Sequence, residues 1–263
     1  MIFSALSYFA IVLYLLASIF QMRKFSAERK TNSPVKFLAS GAIFCHFLIV
    51  FQTIFDGSAY NFGIYSMLSL MALTIGVIVL LGSFRRPISN LFLLIFPIGA
   101  VAVLLNTFFK NHSELKNEID GDMAVHIAMS VIAYSILTIA AVQAAMLSFS
   151  DRMLRNRQLS LIKSLPALET MEQMMFELLW IGLLFLTFSI ASGFLFVEDF
   201  SGPGVIHHTV LAIAAWLVFT LLALGRKYLG WRGLIASRWT VVGFVLLALG
   251  YFGSKFVMEL LLN

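Results

Sequence analysis

Residues 123–148 read MAVHIAMSVIAYSILTIAAVQAAMLS. The run carries no charged side chain and exceeds the roughly 20 residues that cross a ~30 Å hydrocarbon core at about 1.5 Å per residue. It is therefore read as a membrane helix. His126, Ser130, Tyr134 and Thr138 recur at every fourth position, which places them in one stripe along that helix. A polar stripe on an apolar helix faces a bundle interior, not lipid. Beside it Ala133, Ala140, Ala141, Ala144 and Ala145 form a small surface that another helix can approach closely. Two roles remain open for the stripe: hydrogen bonds that join helices, or a ligand role for His126.

Further apolar runs of comparable length lie on either side, at 2–22, 36–55, 61–84, 88–108, 174–197, 205–225 and 239–262, separated by charged or turn-forming breaks. The chain of 263 residues is 60% hydrophobic and only 12% charged, with 26 Phe, far from the balance of a soluble domain. The expected fold is all-α, a polytopic bundle of eight transmembrane helices that makes a single integral-membrane domain of residues 1–263.

Charge sets the expected orientation, because Lys and Arg stay on the side where translocation is resisted. One set of alternate loops holds all 18 Lys and Arg residues except Lys110, Lys116 and Lys255. That set is expected to be cytoplasmic, with both termini on the outer, periplasmic side of a bacterial inner membrane. The formal charge of +5 is spread over short membrane flanks and forms no folded basic face. Nucleic acid is therefore not an expected partner, whereas membrane lipid is. The first run has no basic residue before it and Arg23, Lys24, Arg29 and Lys30 after it, the reverse of a secretory signal, so it is expected to be retained as a helix. The single cysteine, Cys45, excludes an internal disulfide, a CxxCH attachment site and a CxxC redox pair. Any cofactor is expected to be held non-covalently.

His207 and His208 open the seventh run, just after the turn sequence Ser201-Gly202-Pro203-Gly204. This run and the one led by His126 both begin on the outer side. Two imidazoles from different helices are then expected at one membrane surface, the simplest way a helical membrane protein holds a haem iron. Adjacent helical residues point about 100° apart, so only one of the pair faces a given partner. His208 is preferred, because its face continues through Ala212 and Ala215 to Trp216, whereas His207 leads towards Leu211. The alternative is two interfacial histidines satisfied by water. His46 lies nearly midway between Lys36 and Asp56, close to the bilayer midplane, where a polar ring is costly unless paired or ligated. A second, deeper ligand site and a hydrogen bond to a neighbouring helix both remain open for it.

Other polar residues have plainer readings. Glu177 and the i, i+4 pair Lys255 and Glu259 are read as snorkelling or local pairing. His112 belongs to an acidic outer loop at 110–122. Leu161, Leu165, Leu168 and Met171 stand at helical spacing after a basic start, which predicts a helix lying on the inner interface. Pro97 is expected to bend the fourth helix. The sequence has no HExxH, GxSxG, phosphate-cradling glycine loop or paired acids in a helix core, so an enzyme is not expected.

From His126 onward the chain resembles the cytochrome c assembly family of multi-helix membrane proteins, which includes CcsA, CcmC and HemX-like members. Three stretches carry the resemblance: His126-Ile127-Ala128-Met129-Ser130-Val131-Ile132-Ala133-Tyr134, the segment 165–174 leading into the sixth helix, and Gly230-Trp231-Arg232-Gly233 followed by Gly250-Tyr251-Phe252-Gly253. The resemblance implies an outer haem-ligand role for His126. Two departures limit what it implies further. The haem-handling branch has a Trp-rich outer segment ending in Trp-Asp, where this chain has Val197-Glu198-Asp199-Phe200-Ser201-Gly202-Pro203-Gly204. That branch also keeps a second outer histidine after the last matching helix, whereas this chain ends at Leu262-Asn263. These departures imply that the surface presenting haem to apocytochrome is absent; from position alone, His207 or His208 is expected to supply the second axial ligand, so that haem is bound but not delivered.

The expected function is a non-enzymatic haem-binding inner-membrane protein of cytochrome c biogenesis or haem homeostasis. It would hold haem b non-covalently, with the iron on His126 and His208, and His207 and His46 as further candidates. The alternative is a haem-free adaptor or regulator of another inner-membrane protein. A small-molecule or ion transporter is a third reading, for which the sequence offers Pro97 and His46 but neither an internal repeat nor an acidic coordination set.

Overall fold

The computed structural model describes residues 2–27, 34–56, 59–86, 88–109, 120–157, 165–196 and 205–261. Its helices are α1 (Ile2–Ala27), α2 (Val35–Ile54), α3 (Ile64–Gly82), α4 (Phe92–Phe108), α5 (Gly121–Arg155), α6 (Leu168–Phe196), α7 (Val205–Leu229) and α8 (Gly233–Ala248). With the turns that extend α4 and α8, eight segments among the described residues are long and apolar enough to cross a membrane. The all-helical membrane class expected from the sequence is the one observed. A two-residue antiparallel ladder, β1 (Phe55–Asp56) and β2 (Ala59–Tyr60), pairs Phe55 with Tyr60 between α2 and α3. Large apolar side chains such as Phe37, Leu81, Val101, Leu195 and Leu221 are exposed along the helices. Such a surface suits lipid, which satisfies apolar side chains and leaves backbone groups to be paired within each helix.

Two helices extend past the charged residues that bound the apolar runs. α6 begins at Leu168, one and a half turns before residue 174. Leu168 and Met171, read as part of a separate interfacial helix, therefore belong to α6, and Met171 is fully buried. Pro166 explains the start: it lacks an N–H, and the bond Met171 N→Ala167 O at 3.0 Å follows directly after it. Leu161 falls outside the described residues. α8 begins at Gly233 rather than at 239, so Arg238 lies inside a helix. Gly230 and Gly233 have φ of 67° and 58°, which lets the chain reverse between α7 and α8 within three residues. Beyond Ala248 the last helix widens into a π turn at Leu249–Gly253 and, after Ser254–Phe256, another at Val257–Leu261.

The chain forms two compact units, Met1–Glu118 and Ile119–Asn263. In the first, α1 packs on α2 and α4, and α3 packs on the same two, closing a ring of four helices. Tyr14, Phe92 and Phe96 are fully buried there. In the second, α5 packs on α6 and α8, and α7 packs on the same two. The small face predicted for α5 is used: Ala133, Ala140, Ala141 and Ala144 are buried, and Ala145 is exposed. Lipid is as apolar as a helix surface, so helices associate through such close packing and through hydrogen bonds between them.

Candidate functional site

In the second unit α5, α6 and α7 enclose a cavity of about 70 Å³, lined by His126 and Tyr134 of α5, Leu186, Ser189, Ile190, Gly193 and Phe194 of α6, and His208, Thr209 and Ala212 of α7. His126 Nδ1 lies 3.0 Å from Ser192 Oγ, and that hydroxyl donates to Ser189 O at 2.9 Å. Ser130 Oγ donates to His126 O at 2.8 Å and stands 2.7 Å from Ser189 Oγ. A Cβ added at Gly193 would come within 3.1 Å of His126 Cε1, so the imidazole rests against the backbone of α6. On the facing helix His208 Nε2 is 3.4 Å from Tyr134 Oη, whose hydroxyl donates to Leu247 O at 3.2 Å.

The end of α8 completes the surroundings of His208. Tyr251, within the π turn, sets its ring edge-on to both His208 and Tyr134, with centroids 5.8 Å away in each case. A Cβ on Gly250 would stand 3.1 Å from Leu211 Cβ and 3.4 Å from His208 O. Glycine there lets α8 come this close behind His208 without pressing on Leu211.

The structure brings some of the predicted residues together and separates others. His126 and His208 line one cavity. His207 is exposed and does not line it, while Ala212 and Ala215, on the face that favoured His208, are buried. Ser130 and Tyr134 join helices, and Thr138 Oγ1 turns back to Tyr134 O at 2.6 Å. His46 belongs to the first unit and is 0% exposed. Its Nδ1 is 3.0 Å from Tyr14 Oη and its Nε2 is 2.8 Å from Ser69 Oγ. Both ring nitrogens are thus engaged across α1 and α3, the hydrogen-bonded link between helices that the sequence left open for His46. Gln173 Nε2 donates to Glu177 Oε1 and Lys255 Nζ to Glu259 Oε1, each at 2.9 Å. His112 and the segment 197–204 lie outside the described residues. Among the described residues no three His, Cys, Asp or Glu side chains gather as a metal site.

Glu172 escaped the sequence reading. It is buried near the start of α6 and accepts from Arg226 Nη1 at 2.6 Å, Arg232 Nε at 3.2 Å and Gly233 N at 2.8 Å. The Arg226 guanidinium also lies 3.9 Å over the Phe176 ring. A second cavity, of about 360 Å³, adjoins this cluster and is bounded by Leu147, Asp151, Leu168 and Glu169. A signal existed. Glu172 falls in the stretch 165–174 and Arg232-Gly233 in the next stretch that carries the family resemblance, so the two meet in space. Tyr134 ends the first stretch and touches Tyr251 of the last. The short motifs are therefore the parts that tie α5 to α8 and α6 to the α7–α8 turn.

Eight membrane-length helices among the described residues, with two histidines facing one small cavity and a buried carboxylate holding two arginines, define a polytopic helical membrane protein built around a few polar contacts. The model of the family described as Cytochrome C assembly protein matches residues 12–262, and the chain belongs to that family. It is 31% identical over 222 residues to the "Inner membrane protein YpjD" of Escherichia coli strain K12, covering 84% of each chain. The same protein of Escherichia coli O157:H7 matches to the same extent. It is also 35% identical over 142 residues, 53% of this chain and 52% of the other, to the "Uncharacterized 28.8 kDa protein in nifR3-like 5'region" of Azospirillum brasilense. No solved structure gives a significant match. The protein is a multi-pass protein of the inner membrane.

Proposed function

We propose that this is a non-enzymatic haem-binding protein of cytochrome c biogenesis or haem homeostasis, holding haem b non-covalently on His126 and His208. The observation that carries the reading is the meeting of imidazoles from α5 and α7 in one cavity, in a chain of the cytochrome c assembly family. The donor set suits haem iron: His126 and His208 would hold it, and haem so held would serve electron transfer or storage rather than oxygen chemistry. The cavity volume is the weaker match. At about 70 Å³ it is far below the roughly 300 Å³ or more of a pocket that encloses a cofactor. Haem, when bound, supplies a redox-active iron. The chain's own residues supply the rest: Ser192 and Tyr134 orient the two imidazoles, while Leu186, Ile190 and Phe194 exclude water.

The loop charges support an orientation with both termini periplasmic, which sets the histidine cavity near the outer surface and Glu172 near the inner one. A second reading, a haem-free adaptor or regulator of another inner-membrane protein, is favoured by the small cavity volume and by the Tyr134 hydroxyl standing at His208 Nε2.

Visible spectra of the purified protein in mild detergent, oxidised and dithionite-reduced, decide between them. The haem reading expects a Soret band with sharp reduced α and β bands, lost in both His126→Ala and His208→Ala. A featureless spectrum after haem addition, or a spectrum that survives both substitutions, overturns it. A partner that co-purifies without a Soret band selects the adaptor.

A further inference from the structure

We infer that two hydroxyl-to-carbonyl relays set the tautomers of the cavity histidines, leaving one lone pair on Nε2 of His126 and one on Nδ1 of His208, with Ser192 and Tyr134 as the positioning residues. The inference concerns the same site as the haem reading and deepens it, but the tautomers stand whether or not haem binds.

A backbone carbonyl can only accept. The contact of Ser192 Oγ with Ser189 O at 2.9 Å is therefore a bond only if the serine donates to it. The hydroxyl has a single proton, so towards His126 Nδ1, 3.0 Å away, its oxygen accepts. His126 then carries its proton on Nδ1, and Nε2 is left with the lone pair. The neighbouring hydroxyls do not interfere: Ser130 gives its proton to His126 O, and Ser189 gives its own to Ser130 Oγ.

On the other wall the result is the opposite. Tyr134 donates to Leu247 O at 3.2 Å, so its oxygen accepts from His208, and the atom facing it is Nε2. His208 is accordingly protonated on Nε2 and has its lone pair on Nδ1. Gly250, which allows α8 to approach the backbone of His208, and Tyr251, edge-on to the imidazole, hold the ring to this arrangement. The pair is thus unequal. His126 has Nδ1 anchored against α6, the arrangement in which an outer partner fixes a ligating imidazole. His208 would instead offer Nδ1 while Tyr134 holds Nε2, so the two imidazoles present different ring nitrogens.

Ring-nitrogen NMR of the haem-free, 15N-histidine-labelled protein in detergent tests this, because the unprotonated nitrogen of a neutral imidazole resonates far downfield of the protonated one. The expected result is an Nδ1–H form for His126 and an Nε2–H form for His208. Ser192→Ala should move only His126 towards a mixture, and Tyr134→Phe only His208. The opposite tautomer at either ring, or no response to either substitution, overturns the inference. Haem addition separates it from the proposed function. If haem binds, Tyr134→Phe should alter the part of the visible spectrum that depends on His208, and an unchanged spectrum counts against Tyr134 as its positioning residue. If no haem binds to any variant while the tautomers respond as stated, the haem reading fails and the tautomer assignment stands.

Discussion

His46 in the first unit and the His126 and His208 pair in the second are made of the same parts, yet they end in different states. Each imidazole has a tyrosine or serine hydroxyl beside it, contributed by another helix. His46 has a hydroxyl on each nitrogen, Tyr14 on one side and Ser69 on the other, and the ring is wholly enclosed. Among the described residues His126 and His208 each meet a hydroxyl on one ring nitrogen, and they share a cavity. A buried imidazole with both nitrogens satisfied holds helices together, because breaking either bond strands a polar atom in a low-dielectric interior. One with a nitrogen to spare can bind something. The count of hydroxyls per ring, not depth in the membrane, separates the two regions.

That difference predicts unequal costs. His46→Ala removes a 0%-exposed ring and strands both Tyr14 Oη and Ser69 Oγ. The expected loss is about 2 to 4 kcal/mol, combining a cavity with two orphaned hydroxyls, and is read by unfolding in detergent. Any haem spectrum should be unchanged by it. A loss below about 1 kcal/mol would erase the contrast, since it would place the bonds to His46 at the weak average of hydrogen bonds within membranes. Gly250→Ala attacks the other region from behind. The new methyl meets Leu211 Cβ and His208 O, so α8 must retreat, at a cost of about 1 to 3 kcal/mol. Loss of the Tyr134 bond to His208 should accompany it, visible as the same ring-nitrogen change that Tyr134→Phe produces.

The sequence made the membrane class legible because hydrophobic run length is a direct consequence of bilayer thickness. The fourfold spacing of His126, Ser130 and Tyr134 made their common face legible, and the choice of His208 over His207 followed from the small residues Ala212 and Ala215 below it. Glu172 was not legible as a hub. Its partners Arg226 and Arg232 lie 54 and 60 residues away, and no period along the chain connects a carboxylate to such distant cations. The early starts of α6 and α8 were missed for a related reason: Glu172 and Arg238 look like residues outside a span until pairing, or helix length beyond the hydrocarbon, accommodates them. The π turns beside Tyr251 leave no mark in an apolar run, because an extra residue per turn changes which faces meet without changing hydropathy.

His126→Ala should separate function from stability more cleanly than any change at His46. The ring is only half-buried, and its loss strands one hydroxyl, Ser192 Oγ, which retains its bond to Ser189 O. About 1 kcal/mol or less of stability is expected to go, while all bis-histidine haem signal should disappear. A large loss of stability with the spectrum intact would make His126 a second His46, and the comparison would collapse.

The smallest effect is expected at His207, which makes it the most discriminating control. His207 and His208 are neighbours at the start of α7 and differ by about 100° in direction, so the rotation of one helix decides which of them meets the cavity. In this structure His208 lines it and His207 is exposed. His207→Ala should therefore shift stability by no more than about 0.5 kcal/mol and leave both the visible spectrum and the ring-nitrogen pattern of His208 as they were. If His207→Ala instead removes bound haem while His208→Ala spares it, α7 must be turned by roughly that angle when haem is present. Tyr134 would then face a ring that never ligates, the asymmetry between the two cavity histidines would vanish, and His208 would join His46 as an imidazole held in place by its neighbours.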